Sequence, residues 1–156
     1  MAKYNLRDKV KVYRLFAPGT AASGDATSIG SNGTAANGID LQGFQAAEVV
    51  VQVGASSAAL SSTLNQEIKL QHSDSQSSGF ADVPADQIDS AGSDGSTAGV
   101  FGVIDTDTTD ENIEVRASYL GTKRYIRVFC DATGTVTGLE VAGIAVLARP
   151  EAAPVD

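Results

Sequence analysis

The residues best suited to chemistry in this 156-residue chain are its single histidine, His72, and its single cysteine, Cys130. His72 is followed by Ser73 and Asp74, which are the residue types of a hydrolytic triad. Neighbours on a strand point to opposite faces of the sheet, and no G-x-S-x-G sequence accompanies them, so a nucleophilic site is not expected. Cys130 lies among alternating apolar residues, which predicts a buried structural thiol. With no catalytic constellation in the sequence, we expect a protein that is not an enzyme.

Two acidic segments carry the oxygen ligands that Ca²⁺ prefers. In residues 105–111 the EF-hand order fails, because Asp110 stands where the loop glycine belongs and Arg116 where the bidentate glutamate belongs. The aspartates of residues 82–94 are loosely spaced. A solvated acidic loop is the interpretation of both segments, with a Ca²⁺ site as the alternative, and no cofactor is expected. The carboxylates concerned are Asp105, Asp107, Asp110 and Glu111 in the first segment and Asp82, Asp86, Asp89 and Asp94 in the second.

The basic residues form two groups in a chain whose net charge is −8. An acidic chain lacks the basic face that releases counterions from a phosphate backbone, so direct binding to nucleic acid is not expected. Uneven charge suits docking onto a protein surface of mixed sign, and the alternative is a soluble surface with a basic end. The first group comprises Lys3, Arg7, Lys9, Lys11 and Arg14, and the second comprises Arg116, Lys123, Arg124 and Arg127.

The elements that hold these side chains are predicted to be strands, most clearly in the last third of the chain. Residues 112–120, 122–131 and 135–148 alternate between apolar and polar side chains, which predicts one buried face for each strand. Gly121-Thr122 is a break of hairpin length, so the three strands are predicted to pair in order as an antiparallel meander. Arginine and tyrosine are enriched at interfaces, which makes the outer face of this meander a contact candidate; an ordinary solvated face is the alternative. Its residues of those types are Arg116, Arg124, Tyr125 and Arg127.

The rest of the chain predicts further strands and one domain. Strands are expected at residues 9–16, ending at Pro18-Gly19, and at 44–53, 64–72, 80–83 and 100–104, with a short one near 26–29 and a turn at 32–33. The strand at 44–53 is apolar on both faces, which indicates a central strand or one covered on its second face by a partner. About eight unequally spaced strands predict an all-β, antiparallel β-sandwich of jelly-roll type. This single domain would span residues 9–149, between an N-terminal arm at 1–8 and a C-terminal tail at 150–156.

No signal for secretion or membrane insertion is found in the sequence. No apolar run follows the basic N-terminal residues, and no run approaches 18 apolar residues. Together with a lone thiol, this predicts a chain that is made and folded in a cytoplasm.

Three segments carry a resemblance to a known family. The first runs through Ile68-Lys69-Leu70-Gln71-His72-Ser73-Asp74 to Gly79-Phe80-Ala81-Asp82-Val83, the second is Lys123-Arg124-Tyr125-Ile126-Arg127-Val128, and the third leads from Ala132-Thr133-Gly134 to Arg149-Pro150. Together they resemble small structural proteins of tailed bacteriophages, of the head decoration or capsid cement type. The resemblance covers about half of the chain, mostly residues 64 to 150.

This resemblance implies a virion structural protein with no catalytic residue, metal or cofactor. Copies would bind the outside of the capsid, with the major capsid protein as partner, after assembly in the cytoplasm of a bacterial host. A homo-oligomer, either dimer or trimer, would match local capsid symmetry. The contact hypothesis names Lys3, Arg7, Lys9, Lys11 and Arg14 in the basic end, with Arg124, Tyr125 and Arg127 on the sheet. The alternative is a carbohydrate-binding or host-attachment module of a virion fibre or cell surface, which an aromatic platform or a Ca²⁺ site would favour.

Overall fold

The computed structural model describes residues 6–20, 37–90, 97–106, 110 and 112–151. Ten strands and two short 3₁₀ turns, at Leu6–Asp8 and Ala85–Gln87, make up the regular structure of these residues. The strands are β1 Val10–Thr20, β2 Ile39–Asp40, β3 Phe44–Val53, β4 Asn65–Ser73, β5 Ala81–Asp82, β6 Ile88–Asp89, β7 Val100–Ile104, β8 Ile113–Tyr119, β9 Tyr125–Thr133 and β10 Glu140–Pro150.

The strands form two antiparallel sheets of five strands each. Sheet A has the order β1-β10-β3-β8-β6, and sheet B has the order β2-β9-β4, with β5 and β7 both paired to the far edge of β4. Apart from β5 and β6, which lie between β4 and β7 in the chain, the strands pair first with last and inwards from there: β1 with β10, β2 with β9, β3 with β8 and β4 with β7. This nested pairing is that of a jelly roll. The predicted antiparallel sandwich is confirmed, with two short strands beyond the expected eight.

The predicted meander in the last third is wrong in its pairing. β8 and β10 both lie in sheet A but are separated by β3, and β9 lies in sheet B. The segment after β8 therefore crosses from one sheet to the other. It folds around the ring of Tyr119, whose hydroxyl accepts a hydrogen bond from the Lys123 N–H at 2.8 Å, and a Cβ at Gly121 would collide with that ring. The predicted alternation itself is confirmed, since Ala117, Tyr119, Ile126, Val128 and Cys130 are all buried.

The first strand is longer than predicted. β1 continues through Pro18-Gly19 to Thr20, with register shifts between Arg14 and Phe16 and between Phe16 and Gly19. Because β1 is an edge strand of sheet A, a proline removes no ladder hydrogen bond on its outer side, and the bulges absorb the irregularity. Residues 26–29 and 32–33, where a short strand and a turn are predicted, lie outside the described residues.

The core lies between the two sheets and draws on both. Phe16 packs against the backbone of Gly143, where a Cβ would come within 2.6 Å of its ring. Val49 and Val51 of β3 are fully buried and meet the inner residues of sheet B in one cluster. Cys130 is 2% exposed, and burial raises the pKa of its thiol to about 12. The predicted buried thiol is confirmed; it is neutral and therefore a poor nucleophile.

The two-layer arrangement predicts unequal costs for equal truncations. Val49→Ala removes two methyl groups from a fully buried site and should lower the free energy of unfolding by about 2 kcal/mol. Val103→Ala, at a site 44% exposed on β7, should lower it by about 0.5 kcal/mol or less. Urea unfolding measures both; equal costs would contradict this assignment of inner and outer faces.

Candidate interaction surface

His72 is tied into the fold by a hydrogen-bond chain instead of a triad. Its Nδ1 lies 3.0 Å from the Tyr119 hydroxyl, which already accepts the Lys123 N–H, so the tyrosine proton is available to Nδ1. Burial and then the nearby Lys123 charge lower the pKa of His72, which favours the neutral ring that this bond needs. Ser73 Oγ donates to the Ser78 carbonyl at 2.6 Å, and Asp74 pairs with Lys123. Neither is positioned as a triad partner of His72.

The acidic segments are partly described. An oxygen of Asp110 accepts the N–H groups of Asp105 and Thr106 at 3.1 and 2.9 Å, which closes the loop after β7. Asp82 accepts the Gln71 amide at 2.7 Å. Asp94, Asp107 and Glu111 lie outside the described residues. Among the residues that are described, no three His, Cys, Asp or Glu side chains are grouped as a metal site requires.

Arg127 lies at the centre of the outer face of sheet B. Its guanidinium lies 4.1 Å from the ring centroid of Phe80 and 5.8 Å from that of Phe129. Its Nε donates to Gln71 Oε1 at 2.8 Å, and Gln71 in turn donates to Asp82. Desolvation by this packing lowers the pKa of Arg127. Arg127 therefore helps to hold sheet B together, and less of its guanidinium surface is accessible to a partner protein.

Arg124 is also engaged within the chain. Its Nε and Nη2 donate to the two carboxylate oxygens of Asp40 at 2.9 and 2.7 Å, and it lies over the ring of Tyr125. Hydrogen bonding from Arg124 lowers the pKa of Asp40. This fork ties β2 to the start of β9, 84 residues away in sequence. The predicted contact residues of sheet B thus already have partners, although Arg124 stays exposed.

The basic end is only partly described. Lys3 and the side chain of Arg7 lie outside the described part, and Lys9 is exposed just before β1. Lys11 pairs in register with buried Leu147 at the sheet edge, with its Nζ 5.4 Å from the ring centroid of Tyr13. Arg14 points to the outer side of sheet A, beside Ile144. The candidates Arg14 and Arg127 therefore lie on opposite outer faces of the sandwich and do not form one surface.

The outer face of sheet A is a candidate binding surface that the sequence analysis did not identify. Alternate residues of β1, β10 and β3 point away from the core and are mostly apolar. Val12 is 60% exposed and Ile144 is 41% exposed, so these side chains face solvent. Contiguous exposed apolar surface of this kind marks a binding surface. Its apolar members are Val10, Val12, Ala46, Val50, Ala142, Ile144, Val146 and Ala148; we call this the valine face.

An open cleft of about 640 Å³ lies at the end of sheet A where β1, β3, β8 and β10 meet. Its polar lining includes Gln52, Asn112, Glu114 and Glu140. It contains carboxylates but neither the histidine nor the thiol, both of which lie elsewhere in the sandwich. The valine face is therefore the stronger candidate for function.

The His72 bond predicts a pH dependence of stability. A folded-state pKa below the unfolded value of about 6.5 means that the unfolded chain binds more protons. Stability from this site should be complete well above that value and should decline as pH falls through it towards the lower folded-state pKa of His72. His72→Gln, which keeps an acceptor for Tyr119, should flatten this part of the profile in urea titrations. An unchanged slope would contradict the neutral ring.

The two arginines of sheet B predict different stability effects. Arg127→Ala removes the contact with two aromatic rings and leaves Oε1 of the buried Gln71 without the arginine donor. The free energy of unfolding should therefore fall by about 2 kcal/mol. Arg124→Ala breaks an exposed ion pair and should change stability little. Thermal and urea unfolding of the matched pair measure the difference. Equal effects would show that Arg127 is not a structural residue.

Comparison with protein families, with curated proteins and with solved structures found no match for this chain. None of the helical segments in the described ranges is long and apolar enough to span a membrane.

Proposed function

We propose that this chain is a non-enzymatic virion structural protein that binds the outside of a phage capsid and stabilises the shell by bridging major capsid subunits. The observation that carries the proposal is the valine face: an apolar surface presented to solvent on the outside of a sandwich whose core is already filled, as in a subunit that associates with other protein subunits. Such a surface serves association, either between copies of the chain or with the shell. The resemblance to decoration proteins supplies the partner.

The jelly-roll pairing is compatible with this role, since jelly rolls recur in viral capsid domains and in lectins. A protein that binds only the assembled shell stabilises it by mass action, because disassembly must first release the bound copies. Contacts repeated over the shell act together, so each one can be weak. The net charge of −8 also opposes non-specific aggregation of free copies, because like-charged surfaces repel.

The basic end is the proposed capsid contact, with a smaller part for the sheet. Lys9 is exposed, and Lys3 and Arg7 extend the same charge towards the N-terminus. Arg124 and Arg127 already bind Asp40 and Gln71 within the chain, so their charges contribute less to a partner surface. Electrostatic attraction of this kind chiefly speeds the encounter and weakens with salt.

Capsid binding is measured by co-sedimentation with shells of the phage that encodes the chain. The full chain should sediment with the shells, and deletion of residues 1–8 should reduce occupancy, more so at low than at physiological salt, because salt screens the attraction that the deletion removes. A thermal-unfolding control establishes that the deleted chain still folds. Undiminished occupancy would remove residues 1–8, with Lys3 and Arg7, from the interface.

A glycan array is the matching test of the alternative function. Failure of the full chain to bind shells, together with specific binding to a glycan, would replace the capsid proposal by a carbohydrate-binding or host-attachment role. Binding to shells without binding to glycans would support the capsid role.

A further inference from the structure

We propose that the valine face is the interface of a two-fold symmetric dimer, with a second copy of this chain as its occupant. This names a partner for the surface on which the proposed function rests, and it assigns the capsid contact to other parts of the molecule. Four features of the outer side of sheet A support it: its apolar rows, its uncharged centre, its self-complementary pattern and its size.

The apolar residues form rows across neighbouring strands. The register places Val12, Val146 and Glu48 in one row and Arg14, Ile144, Val50 and Arg116 in the next. The smaller residues Ala148 and Ala46 lie beyond the first row, and Ala142 lies beyond the second. The centre of the face is therefore a low, flat apolar strip that a second sheet can cover at the usual spacing of about 10 Å.

The centre of the face is uncharged although the chain carries a net charge of −8. Charged outer residues of sheet A surround it, and Asp89 of β6 lies in register with Ser118 in the row of Glu48. They are two arginines, Arg14 and Arg116, and four carboxylates, Glu48, Asp89, Glu114 and Glu140. Like-charged copies repel over most of their surface, and an uncharged strip is where they can approach most closely.

The charges fit a second copy turned by a two-fold rotation. The two-fold axis would lie in the plane of the interface, run across the strands and pass between the two rows. It places the first row of one copy on the second row of the other. Ile144 then meets the partner's Val146, and Glu48 comes beside the partner's Arg116. In the part of the chain that the structure describes, the ion pair of Arg116 with Glu114 is long, at 3.7 Å, and both side chains are more than half exposed, so Arg116 can turn to a partner. Each such contact occurs twice, as in any isologous interface.

The size of the face suits a modest dimer. Four strands spaced about 4.8 Å apart and about seven residues of 3.4 Å along each give roughly 450 Å² of flat area per copy. Both copies together would bury about 900 Å², slightly below the roughly 1,000 Å² expected of a specific interface and within the range of weak complexes. The dimer should therefore form at micromolar concentrations and depend strongly on its few central side chains.

The test measures the mass of the full chain in solution over a range of concentrations by sedimentation equilibrium. The wild type should reach twice the chain mass. Ile144→Asp places two aspartates, one from each copy, in the apolar centre and should raise the dissociation constant about 100-fold or more. Val103→Asp is the matched control, because Val103 is 44% exposed on sheet B and should leave the dimer unchanged.

Charge reversal distinguishes a second copy from any other occupant. Glu48→Arg and Arg116→Glu should each raise the dissociation constant about tenfold, and the double variant should restore it, because both cross-interface pairs are then reversed. Thermal unfolding checks that each variant folds.

The outcomes separate this inference from the capsid proposal. A wild type that remains monomeric, or a dimer that survives Ile144→Asp, would overturn the inference. A monomer whose binding to shells is lost in Ile144→Asp would also overturn it, because the capsid subunit would then be the occupant, while the proposed function would stand. A dimer that depends on Ile144 would support the inference, even if it fails to bind shells.

Discussion

The hydrogen-bonded ladder between the first and the last strand is the constraint on which the rest of this structure depends. β10 pairs with β1 on one side and with β3 on the other, so it brings both ends of the described chain together in sheet A. The other three pairs are nested inside this one. A sheet built in this way cannot be completed locally, because the β1–β10 ladder brings together residues more than 100 positions apart, at the entropic cost of closing a long loop.

Local features of the fold could be predicted from the sequence, whereas the pairing could not. Short apolar stretches predicted a strand at residues 44–53, which is β3, and one at 100–104, which is β7. Alternation identified the buried side of β8 and β9, because any strand on a core must bury every second residue. Alternation does not say which sheet the strand joins. The short Gly121-Thr122 break suggested a hairpin, but the Tyr119 ring lies where a hairpin turn would be, and β9 continues in the other sheet.

For the candidate site, too, the sequence predicted which side chains lie on an outer face but not which residues they contact. Arg124 and Arg127 were correctly placed on an outer face, but their partners Asp40 and Phe80 are far away in sequence, and only the folded chain brings them together. The valine face did leave a signal in the apolar character of both faces of 44–53. That signal fits a central strand and a partner-covered strand equally well. β3 proves to be central in sheet A, with Val50 on the side away from the core.

The valine face combines residues from both ends of the chain, which determines when it can form during synthesis. Val10 and Val12 come from the beginning of the chain, and Ile144 and Val146 from its end, yet they lie side by side. A ribosome must have released nearly the whole polypeptide before this surface can exist. Nascent or truncated copies that lack β10 therefore cannot present the valine face, so only a completed fold displays this surface.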